Sequence, residues 1–218
     1  MSKKQTTEEN FHYNNIEKTN KNFMYKNLER SNSFNSDFTN SNFDYVSFRG
    51  AHFKSCTFLK CTFRWAEFIG TNLKGSNFEN TLFENAIFDS VNLDGVDFKD
   101  GEFKNTIFMS TDVAKAKNLN IDNPEIKIYN EMPELNVSED LRTTVENLMK
   151  NKYVKAARVL DTKEGGLNLL SIMILLENFD ENTLIKGLNI VGAELDRPFY
   201  TLSYIIRFLQ NCKIKGNL

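Results

Sequence analysis

From Phe38 onward the chain places an apolar side chain at every fifth position. Phe38, Phe43, Phe48, Phe53, Phe58, Phe63, Phe68, Leu73, Phe78, Phe83, Phe88, Leu93, Phe98, Phe103, Phe108 and Val113 make sixteen consecutive frames, thirteen of them Phe. Two residues before each centre stands a small or slender side chain, as at Ser36, Ala51, Cys56, Cys61, Ala66, Thr71 and Ser76. The frame extends upstream through Phe23 and Leu28 and stumbles at Ser33, where Phe34 lies one place out of register. Neither straight element can use a period of five: on a helix successive centres rotate by about 140°, and on a flat strand they alternate faces. The chain must therefore turn once per repeat. If every five-residue side turns the same way, the centre and the small residue before it point inward and the other three face solvent. The core is then a stack of rings.

Ser41-Asn42-Phe43, Thr71-Asn72-Leu73, Ser76-Asn77-Phe78 and Val91-Asn92-Leu93 resemble the pentapeptide repeat family, whose pattern is a small residue, Asn or Asp, Leu or Phe, and two variable positions. The resemblance covers roughly residues 22–119, 98 of 218. It implies a β-solenoid, a right-handed quadrilateral β-helix with four repeats per coil. Eighty residues from Ser36 then make four coils, and at about 4.8 Å per coil the rod is roughly 20 Å long.

With four repeats per coil, residues twenty apart share a column. Tyr25, Tyr45 and Trp65 form an outward aromatic column. It reads as a binding strip, since aromatics are good anchors, or as a ladder satisfied by mutual stacking or by a cover from Phe11 and Tyr13. Asp44, Arg64, Glu84 and Lys104 alternate in sign and are expected to hold register. Ile69, Ile87, Ile107 and Met109, with Leu82 nearby, fall at positions predicted to face water. Such a patch is a dock for the C-terminal half, for a second copy or for a partner. Glu79, Glu84, Asp89 and Asp94, with further acids up to Glu102, form an acidic girdle. The family resemblance connects such girdles with imitation of duplex DNA and binding to DNA gyrase. Against this, residues 21–117 carry twelve bases and twelve acids, the array is shorter than in gyrase-binding members, and a further domain follows it.

After Leu119 the frame stops and Asn123, Pro124 and Pro133 punctuate a connector. Ser138 then suits the N-cap of a helix carrying Leu141, Val145 and Leu148. A short second helix follows around Tyr153 to Leu160. A third runs from Leu167 to Leu176, apolar nearly all round and hence central to a bundle. Asp180 caps a fourth, and Pro198 suits the first turn of a fifth. The expected organisation is a flexible or capping segment at 1–20, the β-helix at 21–119, a linker at 120–137 and a small α-helical C-terminal domain at 138–218.

Composition adds exclusions. Phe supplies 19 of 27 aromatics, and a net charge of -2 gives no reason to expect nucleic-acid binding. The only histidines, His12 and His52, do not suit an acid/base pair. Cys56 and Cys61 sit at inward positions without further metal ligands nearby and read as core thiols, while Cys212 is an isolated thiol. Gly165-Gly166 lacks the pattern of a phosphate loop. No catalytic residue, metal or cofactor is assigned. Three cysteines fit reduced thiols, the start lacks an apolar leader, and the longest apolar run is too short to cross a bilayer. The expected place is therefore the cytoplasm. The functional expectation is a non-catalytic scaffold or adaptor binding a protein partner, or itself as a dimer, without membrane insertion. The alternatives are a gyrase-binding protein and an enzyme with a site at the domain junction.

Overall fold

The computed structural model describes residues 11–218 and divides into two compact units, the first ending at Asn130 and the second spanning Glu131–Leu218. The part of the expected N-terminal segment at residues 1–10 lies outside the described residues.

The first unit is a β-solenoid of about six coils, since residues 11–130 make six sets of twenty. Its strands are three or four residues long: β1 (His12–Asn14), β2 (Asn32–Phe34), β3 (His52–Lys54), β4 (Thr62–Arg64), β5 (Glu67–Ile69), β6 (Leu82–Glu84), β7 (Ile87–Asp89), β8 (Glu102–Lys104), β9 (Thr106–Met109) and β10 (Ile126–Tyr129). All pair in parallel with a register of twenty, in the sheets β1-β2-β3, β4-β6-β8 and β5-β7-β9-β10. Isolated parallel bridges such as Thr57 to Asn77 and Asn77 to Asp97 continue the same register on the remaining wall.

Each part of the repeat has a physical cause. The centres are the core: twelve phenylalanines from Phe38 to Phe108 are buried to within 2%. They stack over the coil above, as in Phe23–Phe43–Phe63–Phe83 with centroids 4.7, 5.1 and 5.3 Å apart and planes within 14°. Around each coil they meet neighbours edge-on, as Phe58 meets Phe63 at 5.6 Å and 69°. Both geometries suit the ring quadrupole. The small residue lets its hydroxyl reach the coil before: Thr71, Ser76 and Thr81 donate to the carbonyls of Phe48, Phe53 and Phe58 at 2.7 to 2.8 Å. The Asn or Asp before the centre accepts from the amide two residues on, as Asn42 does from Asp44 and Asn77 from Glu79, both at 2.8 Å. That is a side-chain-closed turn.

The ladder runs beyond the five-residue frame at both ends. Upstream, β1 pairs with β2 and Tyr13 takes a centre position, edge-on to Phe38 at 5.9 Å. Phe11 and Tyr13 thus pack against the core. Downstream, β10 pairs with β9 inside the stretch read as connector, because main-chain pairing needs no phenylalanine once a coil below supplies the template. At the stumble, Ser33 fills the centre slot at 0% exposure and Phe34 stands outside at 47%.

The second unit holds α1 (Glu139–Met149), α2 (Lys152–Ala157), α3 (Leu169–Asn178), α4 (Glu181–Glu194) and α5 (Ser203–Ile214). Ser138, Asn151, Asn168 and Asp180 cap the first four through side-chain oxygens. The fifth starts later than Pro198 predicts: residues 196–202 are not helical, Phe199 is buried and stacks on Tyr204 at 4.8 Å, and α5 has no side-chain cap. Packing of the aromatic ring here overrides the local preference of proline for a first turn. No helix among the described residues is long and apolar enough to cross a membrane.

Candidate interaction surface

Every fifth residue from Asn15 to Ser110 has positive φ, twenty corners in all, sixteen of them not glycine. In this left-handed region a side chain costs about 1–2 kcal/mol, least for Asn, Asp and Gly. Fifteen corners are accordingly Asn, Asp, Ser or Gly, and the exceptions are Tyr25, Arg30, Tyr45, Lys60 and Trp65. Three of the five exceptions share one column. The chain thus holds Tyr25 (φ 62°), Tyr45 (φ 61°) and Trp65 (φ 56°) where their backbone geometry is unfavourable. The Tyr25 and Tyr45 rings stack at 4.9 Å, Tyr25 is 49% exposed, and Tyr45 and Trp65 are half-buried. Below them the column turns polar, and Asn105 donates to Asn85 at 2.7 Å. This corner rule was present in the sequence as a Gly, Asn, Asp or Ser two residues after most centres.

The aliphatic patch is not where the alternation places it. Ile87, Ile107 and Met109 are buried at 8%, 4% and 5%, and Ile69 is half-buried. Along their columns Ile87 lies between Glu67 and Ile107, Ile107 between Ile87 and Lys127, and Met109 between Asp89 and Tyr129. Glu67 in the same column is buried too, at 4%. Ile87, Ile107 and Met109 are thus corrected from water-facing to buried, and Ile69 to half-buried.

The acidic girdle is largely compensated. Arg64 bridges Asp44 and Glu84, each at 3.2 Å, and Lys104 reaches Glu84 at 2.9 Å, which is the register-holding column expected from its alternating signs. Lys99 pairs with Glu79 at 3.0 Å, and Asp94 lies between Lys74 and Lys115 at 3.8 and 3.5 Å. Asp89 accepts from the Ser90 hydroxyl at 2.9 Å. The Lys104 hydrogen bond first, then Arg64, holds the Glu84 carboxyl below its ordinary range against the opposing effect of burial. Duplex DNA presents an unbroken row of negative charges along its length, whereas Glu79, Glu84 and Asp94 here are each paired with a cation.

His12 and His52 are exposed in one column, separated by Asn32, and so stand two coils or roughly 10 Å apart. Cys56 and Cys61 are buried, and burial pushes their thiols up to about 11 and about 12. Such thiols are inert at neutral pH. Among the described residues no group of three or more His, Cys, Asp and Glu is placed to hold a metal.

Comparison with known proteins agrees with this architecture. Residues 34–68 and 61–100 match the pentapeptide repeats model in eight copies, and the first unit is a pentapeptide-repeat β-helix. No curated protein sequence matches the chain. Among solved structures, a pentapeptide repeat protein from the cyanobacterium Cyanothece 51142 is 16% identical, over 57% of this chain and 89% of that one, with a TM-score of 0.31. One from the Arabidopsis thaliana thylakoid lumen is 14% identical over 51% and 72%, with a TM-score of 0.29. A trypsin-treated form of QnrB1, a plasmid-mediated fluoroquinolone resistance protein, is 13% identical over 56% and 84%, with a TM-score of 0.22. Identities this low carry no residue roles across.

Proposed function

We propose that the pentapeptide-repeat β-helix of this chain is a non-catalytic protein-binding scaffold whose anchors are Tyr25, Tyr45 and Trp65. The supporting observation is the concentration of bulky aromatics at left-handed corners of a single column, where the other corners are mostly Asn, Asp, Ser or Gly. Backbone strain of this kind survives where the side chain has a use. Partly exposed aromatic rings on a rigid support bury much area at little entropic cost when a partner docks. Ile69, Ile87, Ile107 and Met109 are set aside as anchors because a partner would first have to uncover three of the four.

The test follows from the corner rule. Trp65→Asn and a Tyr25→Asn/Tyr45→Asn pair extend the Asn85–Asn105 column with a residue that seven other corners already use, so the fold should survive. Affinity purification from the native cell with wild-type protein should capture a specific protein that both variants lose. Equal capture by wild type and variants refutes the assignment of this column. The gyrase-binding reading has less support, because Glu79, Glu84 and Asp94 are paired with cations.

A further inference from the structure

At the diagonally opposite corner of the solenoid lies a groove of about 690 Å³, with Phe34, Lys54, Lys74 and Lys117 on its rim and Gly75 and Gly95 in its floor. It is separate from the aromatic column and does not depend on its role: within a coil the corners run 25, 30, 35, 40, and this groove follows the column of Asn35, Ser55, Gly75 and Gly95.

Two features set it apart from the remaining surface. The first is charge. Arg64, Lys99 and Lys104 close carboxylate ladders on other columns, but here no carboxylate among the described residues lies within 4.0 Å of the Lys54 or Lys117 ammonium. Asp97, which neighbours Lys117 along its column, is instead engaged by the Asn118 side chain at 2.7 Å and the Lys99 amide at 3.0 Å. Asp94 is the only acid of the lining, and it is already shared by Lys74 and Lys115. The second is the exchange at Ser33 and Phe34. A hydroxyl without a hydrogen-bond partner occupies a core slot built for a phenylalanine, and the ring stands on the rim of the groove. The reverse order would satisfy the repeat, so the exchange weakens the core and supplies an exposed aromatic at one end of a cationic track.

We infer that this groove binds a short acidic peptide segment in extended form, its carboxylates on Lys54, Lys74 and Lys117 and an apolar side chain against Phe34. Four coil steps separate the Phe34 level from that of Lys117, roughly 19 Å, which is the span of about six extended residues. The floor lacks Cβ atoms at Gly75 and Gly95, and nothing lies within 4 Å of where one would stand at Gly95, so a peptide backbone can approach it closely. A nucleic acid fits less well, because the cations are confined to one corner of a unit whose charges balance over residues 21–117.

The probe is a fluorescein-labelled octapeptide of one phenylalanine followed by alternating glutamate and serine, titrated with the full chain and read by fluorescence anisotropy. Saturable binding is expected. It should weaken at least tenfold for Lys54→Gln/Lys74→Gln, for Phe34→Ser, for the glutamine version of the peptide and on raising the salt. Gly95→Asn is the decisive variant: Asn is native to other left-handed corners, so the circular dichroism should be unchanged while its side chain fills the floor and binding is lost. Absence of saturation, unchanged affinity in a folded Gly95→Asn protein, or equally tight binding of a fifteen-nucleotide oligothymidylate would overturn the inference.

Discussion

The solenoid and the helical unit bury their cores by opposite strategies. In the solenoid one local rule is applied again and again, and the recurring contacts join residues about one coil apart: a ring on the ring twenty residues on, a hydroxyl on the carbonyl twenty-three residues back. In the helical unit no position repeats. Leu141, Val145, Leu188, Val191 and Leu209 are each buried in surroundings of their own, and four of the five helix starts have their own side-chain cap. The difference teaches that a repeat spreads its stability over equivalent sites and leaves whole outer columns to vary. A bundle commits nearly every apolar residue to a single shared core.

That contrast is open to experiment. The largest expected effect is Phe63→Ala, which removes a ring stacked on both Phe43 and Phe83; it should cost about 3–5 kcal/mol in urea unfolding. Because burial keeps Cys56 and Cys61 unreactive at pH 8, Ellman's reagent should report the loss as labelling of these thiols at lower urea than in wild type, with the Cys212 signal lagging behind. Leu209→Ala is the mirror experiment and should cost about 2–5 kcal/mol. It should advance Cys212 first, since Leu209 and Cys212 are buried on the same helix. Simultaneous release of all three thiols in either variant would show that the units unfold as one block and would break the comparison.

Smaller effects sharpen it. Asp180→Ala removes the cap that accepts from the Thr183 amide at 2.9 Å and the Thr183 hydroxyl at 2.7 Å, and should lower the urea midpoint of the helical unit by less than Leu209→Ala does. Asn77→Ala opens one turn among many like it, at about 0.5–1 kcal/mol, and its cost should match that of Asn42→Ala. A large mismatch between the two asparagines would argue against equivalence of the coils. The smallest effect is in pH. The Glu84 carboxyl is depressed when folded, so its contribution is present above the ordinary carboxylate value of 4.5 and is lost as the pH falls from there through the folded value. Glu84→Gln should flatten the acid limb of the stability profile by less than about 1 kcal/mol at this exposure. An unchanged acid limb would remove the Arg64–Glu84–Lys104 ladder from the account.

Much of the molecule was legible before any coordinates. A period of five admits no straight element, so Phe58, Phe78 and Phe98 had to share one wall and point inward, and they are buried at 0%, 0% and 1%. The twenty-residue columns followed, including the Asp44–Arg64–Glu84–Lys104 ladder. The caps at Ser138 and Asp180 follow from side-chain chemistry that acts within three residues. Properties settled by short separations along the chain, or by an unbroken repeat of them, can be read from residue order alone. Tertiary structure decided the rest: that Ile87, Ile107 and Met109 are buried, that Glu79, Glu84 and Asp94 are paired with cations, that Tyr13 packs on the core and that β10 adds a strand without a phenylalanine. The repeat says which residues share a column, but how closely a side chain is covered and which partner it reaches depend on side-chain packing in three dimensions.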